Sequence, residues 1–403
     1  MKMKPLTKCP TCFKEFDLRG VSFRCLNPKC KCPDPVLRKF LGGNRDADMG
    51  SVISMDDSGW QSPDRATCGL CGSETSMRIC PVNHCELPKF IGEIPDIPVY
   101  MVGPGQSGKS VYLAVTIKHL RRQVYPSFGS TLDFSTQATE KKVERVEQVI
   151  RGLELFPGNR GWGNEPELRQ PFMLFSRIHS PVPYLYPLRR LRCANMVLFD
   201  TAGEDNKDEA AMGLCYDGFE HAAALIVFID PRGIRKMQPS FKADDDKQRL
   251  KDGMQGEYDP VGVIARLARI WREKKKKGPG STVSVPTAFV LTKIDELKLH
   301  SSGMLNKPAD HRRGFDLAHC QAMSAALVEH FSSAEVGASD LMVTIQNNFS
   351  NSCLFAVSSL GHTPERVTED GYSRLKLKHE PMPLHVENPV LWILNQFNQF
   401  QAW

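Results

Sequence analysis

The chain has 403 residues, of which 41% are hydrophobic and 24% charged, with 30 glycines and 28 prolines. At roughly 150 residues per domain this length predicts two to three domains. The composition excludes collagen-like, low-complexity and wholly disordered chains, and the net charge of +6 is too mild to indicate nucleic acid or an anionic membrane as a partner. The longest apolar run, Ala222 to Ile229, is far shorter than the roughly 18 residues of a membrane span. The opening MKMKPLTKCP carries no secretion h-region, so a cytoplasmic protein without membrane contact is expected.

Nine of the thirteen cysteines (Cys9, Cys12, Cys25, Cys30, Cys32, Cys68, Cys71, Cys80 and Cys85) lie in the first 85 residues. Thiols in a cytoplasmic chain stay reduced, so closely spaced pairs read as metal ligands before disulfides. Two pairs on tight turns fill the four positions of a closed, structural zinc site. Taken by proximity, Cys9, Cys12, Cys25 and Cys30 form one set, with Cys32 as an alternative fourth ligand. Cys68, Cys71, Cys80 and Cys85 form the second, with His84 as an alternative to Cys85. Between the groups, residues 33–67 carry Gly42, Gly43, several aspartates and no sustained apolar period, which predicts a linker or long loop. The remaining cysteines, Cys193, Cys215, Cys320 and Cys353, read as packing residues.

After residue 94 the texture changes. A short apolar run, Ile97 to Val102, leads into Gly103-Pro-Gly-Gln-Ser-Gly-Lys-Ser110, and a helical pattern follows from Val111 to Val124. This is GxxxxGK[ST] in a strand–loop–helix context. Its glycines let backbone N–H groups curl around phosphates, Lys109 reaches the β- and γ-phosphates, and Ser110 can hold magnesium. Four further signals follow in order. Arg192 to Phe199 is strand-like and ends in Asp200-Thr-Ala-Gly203, offering a magnesium-directed carboxylate and a γ-phosphate-directed N–H. Ala222 to Ile229 has the continuous apolar character of a doubly covered parallel strand. Pro286 to Leu291 leads into Thr292-Lys293-Ile294-Asp295, where one carboxylate can accept from both guanine donors while the lysine stem packs on the base. Ser352 to Val357 ends in Ser358-Ser359-Leu360, placed to close over the base. Each signal lies at the C-terminal end of an expected strand, where open α/β sheets bind ligands.

Residues from about 95 to 403 thus resemble a Ras-like GTPase domain of the TRAFAC class, with GPGQSGKS, DTAG, TKID and AVSSLG as its motifs. CPTCF with RCLNPKC, the CGLC group and the closing HVENPVLWIL resemble more narrowly the zinc-ribbon-bearing member of the bacterial double-GTPase families. The resemblance implies nucleotide contacts from Gly103, Gln106, Ser107, Gly108, Lys109, Ser110, Val111, Asp200, Gly203, Thr292, Lys293, Asp295, Ser358, Ser359 and Leu360. It also implies a second GTPase-like protein and an adaptor as partners, in systems of conflict with phage or other invaders.

Two departures bear on catalysis. Glu204 and Asp205, not glutamine, follow Gly203, which makes Glu204 the candidate catalytic partner of Lys109. Residues 153–170 contain neither Thr nor Ser, so a second magnesium hydroxyl comes from Thr131, Thr136 or Thr139 or is missing. Gln137 to Arg151 predicts an added surface helix before the second strand, and Lys274 to Lys277 a solvated basic helix end. The expectation is an α/β fold: a doubly wound, mostly parallel sheet at 95–403, preceded at 1–94 by two zinc-ribbon elements. The expected cofactors are GTP or GDP, magnesium and two zinc ions. The expected function is a GTP-binding switch with slow, partner-stimulated hydrolysis; the alternative is a non-hydrolysing docking module stabilised by nucleotide.

Overall fold

The structure, a computed structural model, describes residues 6–41, 48–55, 63–104, 107–151, 170–181, 189–200, 218–234, 259–296, 307–333, 338–369 and 372–400. In the cysteine-rich front, β1 (Leu6–Lys8) pairs with β2 (Glu15–Asp17), and β3 (Ser22–Arg24) lies between β6 (Val52–Ile53) and β9 (Arg78–Ile79). β4 (Lys31–Pro33) pairs with β5 (Asp48–Gly50), and β7 (Ala66–Thr67) with β8 (Glu74–Thr75). A small core of Phe16, Val21, Phe23, Ile79, Leu87 and Ile91 is buried among them.

The stretch expected to be a linker is in part ordered structure. Asp34 accepts from Leu37 N at 3.0 Å and caps helix α1 (Pro35–Leu41). Its other oxygen pairs with Arg24 at 2.6 Å, both side chains being only 4% exposed. The apolar pattern missed this because polar groups organise it: a buried ion pair is tolerated only when its hydrogen bonds are filled. Arg24 also donates to the Gly50 and His84 carbonyls. Gly50 is fixed by contact, since a Cβ there would lie 1.7 Å from the Cys25 carbonyl oxygen.

The larger unit is a seven-stranded sheet. β10 (Asp96–Val102) is flanked in parallel by β13 (Arg189–Asp200) and β14 (Ala224–Ile229). β15 (Thr287–Leu291) and β16 (Ser352–Ala356) continue the parallel half, and β12 (Phe172–Pro181) and β11 (Thr131–Phe134) extend it antiparallel beyond β13. Every residue of β14 and β15 is buried, the signature of a sheet covered on both faces.

Helix α2 (Lys109–His119) leaves the P-loop and widens at Leu120–Val124 into the short α3 (Tyr125–Ser127). The expected added helix is α4 (Gln137–Arg151), whose buried face holds Ala138, Val143, Val146 and Ile150. Capping sets the later starts. Asp259 accepts from Val261 and Gly262 N at the head of α5 (Pro260–Lys274), and Asp316 from His319 N at the head of α6 (Leu317–Ser332); such caps satisfy first-turn donors. α7 (Ser339–Asn348) and α8 (Asn388–Gln396) complete the helices described, and the hairpin β17 (Glu365–Glu369) and β18 (Tyr372–Lys376) follows β16. Tyr112 of α2 donates to the Val386 carbonyl at 2.9 Å, tying the HVENP segment to the P-loop helix.

Candidate functional site

β10 ends at Val102, and Gly103 then passes so close to β14 that a Cβ would lie 2.7 Å from Phe228 Cβ. Gly108 has φ 86° immediately before α2, a left-handed conformation that a side chain disfavours. Lys109 is buried at 6% exposure and donates to the carbonyls of Gly103 at 2.7 Å and Pro104 at 2.9 Å. Ser107 donates to the Pro104 carbonyl. Val111 and Leu360 pack with Ala114, Val115, Val146, Ile150 and Leu377 beside the loop.

Ser110 Oγ donates to Asp200 Oδ2 at 3.1 Å, joining the ends of β10 and β13. Asp200 Oδ1 is buried with no hydrogen-bond partner among the described residues. Burial raises the pKa of this carboxyl, opposed by Lys109, the Ser110 hydrogen bond and Lys142. A hydroxyl beside a carboxylate oxygen without a donor fits a hard divalent cation such as magnesium. Gln106, Gly203 and Glu204 lie outside the described residues.

At the far side of the sheet, Thr292 N and Oγ1 both donate to the Ile229 carbonyl. Lys293 sits at φ 56° and its Nζ pairs with Asp230 Oδ2 at 2.8 Å. Asp295 accepts from Ser358 Oγ at 2.5 Å, and the same hydroxyl accepts from Gly361 N at 2.8 Å. The TKID carboxylate and the loop of Ser358, Ser359 and Leu360 are therefore joined, as their places on adjacent strands β15 and β16 require. Asp230 was not anticipated; its only signal is its position directly after the apolar run of β14.

Two of the three hydroxyls considered for switch I are used otherwise. Thr136 and Thr139 bond each other at 2.8 Å, Thr139 Oγ1 accepts from Met173 N, and Thr131 lies in the edge strand β11. Lys142 of α4 is a missed residue. Its side chain is 4% exposed, donates to the Gln170 carbonyl and lies 4.4 Å from the Phe172 ring centroid. Burial lowers its pKa to about 7, with Asp200 acting the other way. A lysine on the stripe of Ala138, Val146 and Ile150 was the available signal.

The cysteines are brought together differently from the sequence expectation. Cys25, Cys30, Cys68 and Cys71 converge with all Sγ atoms within 4.8 Å of one another, and Cys9, Cys12 and Cys80 converge likewise. The expected grouping of Cys9 and Cys12 with Cys25 and Cys30, and of Cys68 and Cys71 with Cys80 and Cys85, is thus corrected to an interleaved one. Cys85 is fully buried and close enough to Cys80 and Cys12 for their charges to raise its pKa, after burial as the main cause. Cys30, not Cys32, enters the four-sulfur cluster. Cys85 is not among the three sulfurs within 4.8 Å of one another, but it lies beside them, and with His84 Nδ1 bonded to the Asp34 carboxylate at 2.9 Å it is the candidate fourth ligand.

Sγ–Sγ separations are 3.5 Å for Cys25–Cys71 and 3.8 Å for both Cys30–Cys68 and Cys12–Cys80. A tetrahedral zinc with Zn–S of about 2.3 Å places its sulfurs about 3.8 Å apart, whereas a disulfide requires about 2.05 Å. The sulfurs therefore fit zinc. Within each cluster the thiols share protons: bonds from Cys80 and Cys9 lower the Cys12 pKa, while bonds from Cys12 raise those of Cys9 and Cys80, and burial raises that of Cys25.

A mostly parallel sheet of this order, with a P-loop after its central strand and the TKID and SSL segments at adjacent strand ends, has the architecture of the P-loop GTPases. No protein-family model matches the chain. It is 26% identical, over 97% of its own length and 99% of the other's, to a Mycolicibacterium smegmatis protein named SaeC, a proposed ESX-1 scaffolding and assembly protein. Among solved structures it is similar to the Arl6 BBS3 small GTPase of Trypanosoma brucei, at 14% identity, TM-score 0.29, over 75% of this chain and 98% of that one. The SRb-GTP/SRX complex of Chaetomium thermophilum matches at 13% identity, TM-score 0.26, over 67% of this chain and 93% of that one. Among the described residues no helix is long and apolar enough to cross a membrane.

Proposed function

We propose that the protein is a GTP-binding switch whose nucleotide state is read by protein partners during assembly of a larger complex. One observation carries the reading: Ser110 bonded to Asp200 beneath the P-loop, with Asp200 Oδ1 receiving no hydrogen bond among the described residues. Magnesium held there would neutralise charge between the β- and γ-phosphates. Lys109, now on the loop's own carbonyls, would exchange them for phosphate oxygens, and Asp295 would accept from both donors of guanine. Hydrolysis is slow in this reading, because Glu204 and Asp205 stand where a glutamine would orient water, and a partner completes the site.

The name of SaeC, a scaffolding and assembly protein, supports a role among protein partners. The resemblance to double-GTPase families supports a second GTPase-like protein and an adaptor among them, and a conflict system as the setting. A nucleotide-stabilised docking module is the second reading, favoured by Leu26, Leu70 and Val82, which are 44%, 72% and 49% exposed beside the cysteines. Titration of the zinc-loaded chain with fluorescent GTP, GDP and ATP, followed by single-turnover phosphate release, separates the two. Equal affinity for ATP and GTP would remove the guanine assignment, and no phosphate release with any partner would leave only the module.

A further inference from the structure

Because the cysteines interleave, one metal ion at the Cys9, Cys12, Cys80 and Cys85 site would tie two distant turns together. Each turn continues directly into a contact with the nucleotide-binding unit. From the first turn, Phe13, at φ 58°, stacks on Phe199 at 5.9 Å and meets the His221 ring in a tilted contact at 4.5 Å. Phe199 in turn stacks on Tyr100 at 4.5 Å and directly precedes Asp200. Gly218 makes room for this ring, since a Cβ there would lie 2.6 Å from Phe13. Lys8 Nζ lies 3.3 Å from His221 Nδ1 on the same surface.

From the second turn, Glu86 follows Cys85. Its carboxylate accepts from Gln137 N at 2.7 Å and Ala138 N at 3.1 Å, capping α4 from outside the helix. Its own N–H donates to Gln170 Oε1 at 3.0 Å. Lys142 holds the main-chain carbonyl of the same Gln170. The two turns thus grip two strand ends: the exit of β13 at Asp200, which accepts from Ser110, and the entry of β12 at Gln170. No contact named here involves Cys25, Cys30, Cys68 or Cys71.

We propose that the Cys9, Cys12, Cys80 and Cys85 site is a clamp on the nucleotide site: Phe13 and Glu86 are positioning residues for Asp200 and Gln170, and metal binding here and nucleotide binding at the P-loop favour one another. The inference rests on the GTP-binding reading above. Coupling of this kind is reciprocal by thermodynamic necessity and typically amounts to 5- to 150-fold. The four-cysteine set of Cys25, Cys30, Cys68 and Cys71 reaches the clamp only through Arg24, which precedes Cys25 and donates to the His84 carbonyl, so its zinc is the less affected of the two.

The test uses the full chain loaded with zinc. Release of zinc to a colorimetric chelator is followed with and without saturating magnesium and GDP or a non-hydrolysable GTP analogue. Nucleotide slows one of the two release phases about tenfold and the other less. In Phe13→Ala and Glu86→Ala the slowing disappears, while Glu86→Gln, which keeps one acceptor oxygen, retains part of it. In the reverse direction Cys12→Ser weakens GDP binding about tenfold. Variants are scored only where they keep the wild-type circular dichroism spectrum; Phe13→Leu replaces Phe13→Ala if the latter fails to fold. Equal slowing of both phases, slowing of neither, or unaltered coupling in both Phe13 and Glu86 variants overturns the clamp. A loaded wild type that binds no guanine nucleotide overturns the clamp and the GTP reading together, whereas normal binding with unchanged zinc release overturns the clamp alone.

Discussion

The interleaved cysteines make a prediction that sequence-adjacent pairing reverses. Cys12→Ser combined with Cys80→Ser removes two ligands from one site and leaves Cys25, Cys30, Cys68 and Cys71 intact. Cys12→Ser combined with Cys25→Ser removes one ligand from each. The first variant therefore keeps one chelator-inert zinc, and the second keeps none. Closing Cys12 onto Cys80 spans 68 residues, where closing it onto Cys25 would span 13. Loop entropy disfavours the longer closure by roughly 1.5 kcal/mol. That is small against the roughly 10–16 kcal/mol a structural zinc contributes at neutral pH, so packing of the strands between the turns decides the pairing. The assay is elemental zinc per chain after exposure to a competing chelator. An inert ion in the Cys12/Cys25 variant and none in the Cys12/Cys80 variant would refute the reasoning.

Asp295→Asn should weaken GTP and improve xanthosine triphosphate in competition titrations, because an amide donates where the carboxylate accepted; unchanged base preference would count against Asp295. Lys109→Ala should lose roughly 10- to 100-fold in GDP affinity, the range of one or more charge-assisted hydrogen bonds, with the thermal midpoint of the nucleotide-free chain little changed. Phosphate release by the isolated wild type should be far below one per second, and a rate near that value would mean the site is already complete. Lys142→Met should stabilise the nucleotide-free chain at neutral pH. Burial holds the folded pKa of Lys142 at about 7, below its value of about 10.4 when unfolded. Between these values the unfolded chain binds the extra proton, so wild-type stability gains with rising pH relative to Lys142→Met; a constant difference from pH 7 to 9 in denaturant melts would contradict this.

Much of the larger unit was legible because its signals are local. The run Ile97 to Val102 became β10, Ala222 to Ile229 holds β14, and the charged amphipathic stretch Gln137 to Arg151 is helical over those same residues. Motif positions followed from strand ends, so Ser110 and Asp200, or Asp295 and Ser358, could be brought together without coordinates. The cysteine pairing was not legible, since spacing reveals turns and says nothing of which turn faces which. The ordered part of residues 33–67 was hidden because Arg24, Asp34 and His84 hold it through polar bonds between residues distant in sequence. The edge strand β11 was too short and too exposed to announce itself, with only Leu132 buried in its four residues.

Lys142 shows why such departures matter. A helix that only had to cover the sheet would carry an apolar side chain at this position, between Ala138 and Val146 on its buried face. Placing an amine there incurs a desolvation penalty that its bond to the Gln170 carbonyl offsets only in part. Lys109 and Lys142 both bear on Asp200, so two buried amines from different helices converge on the carboxylate at the exit of β13. The capping of α4 is shared in the same way: Thr136, from its own sequence, accepts from Thr139 N, while Glu86, from the turn that follows Cys85, accepts from Gln137 N and Ala138 N. Lys142 and Glu86 meet at Gln170, and through it the cysteine-rich front is connected with the entry of β12.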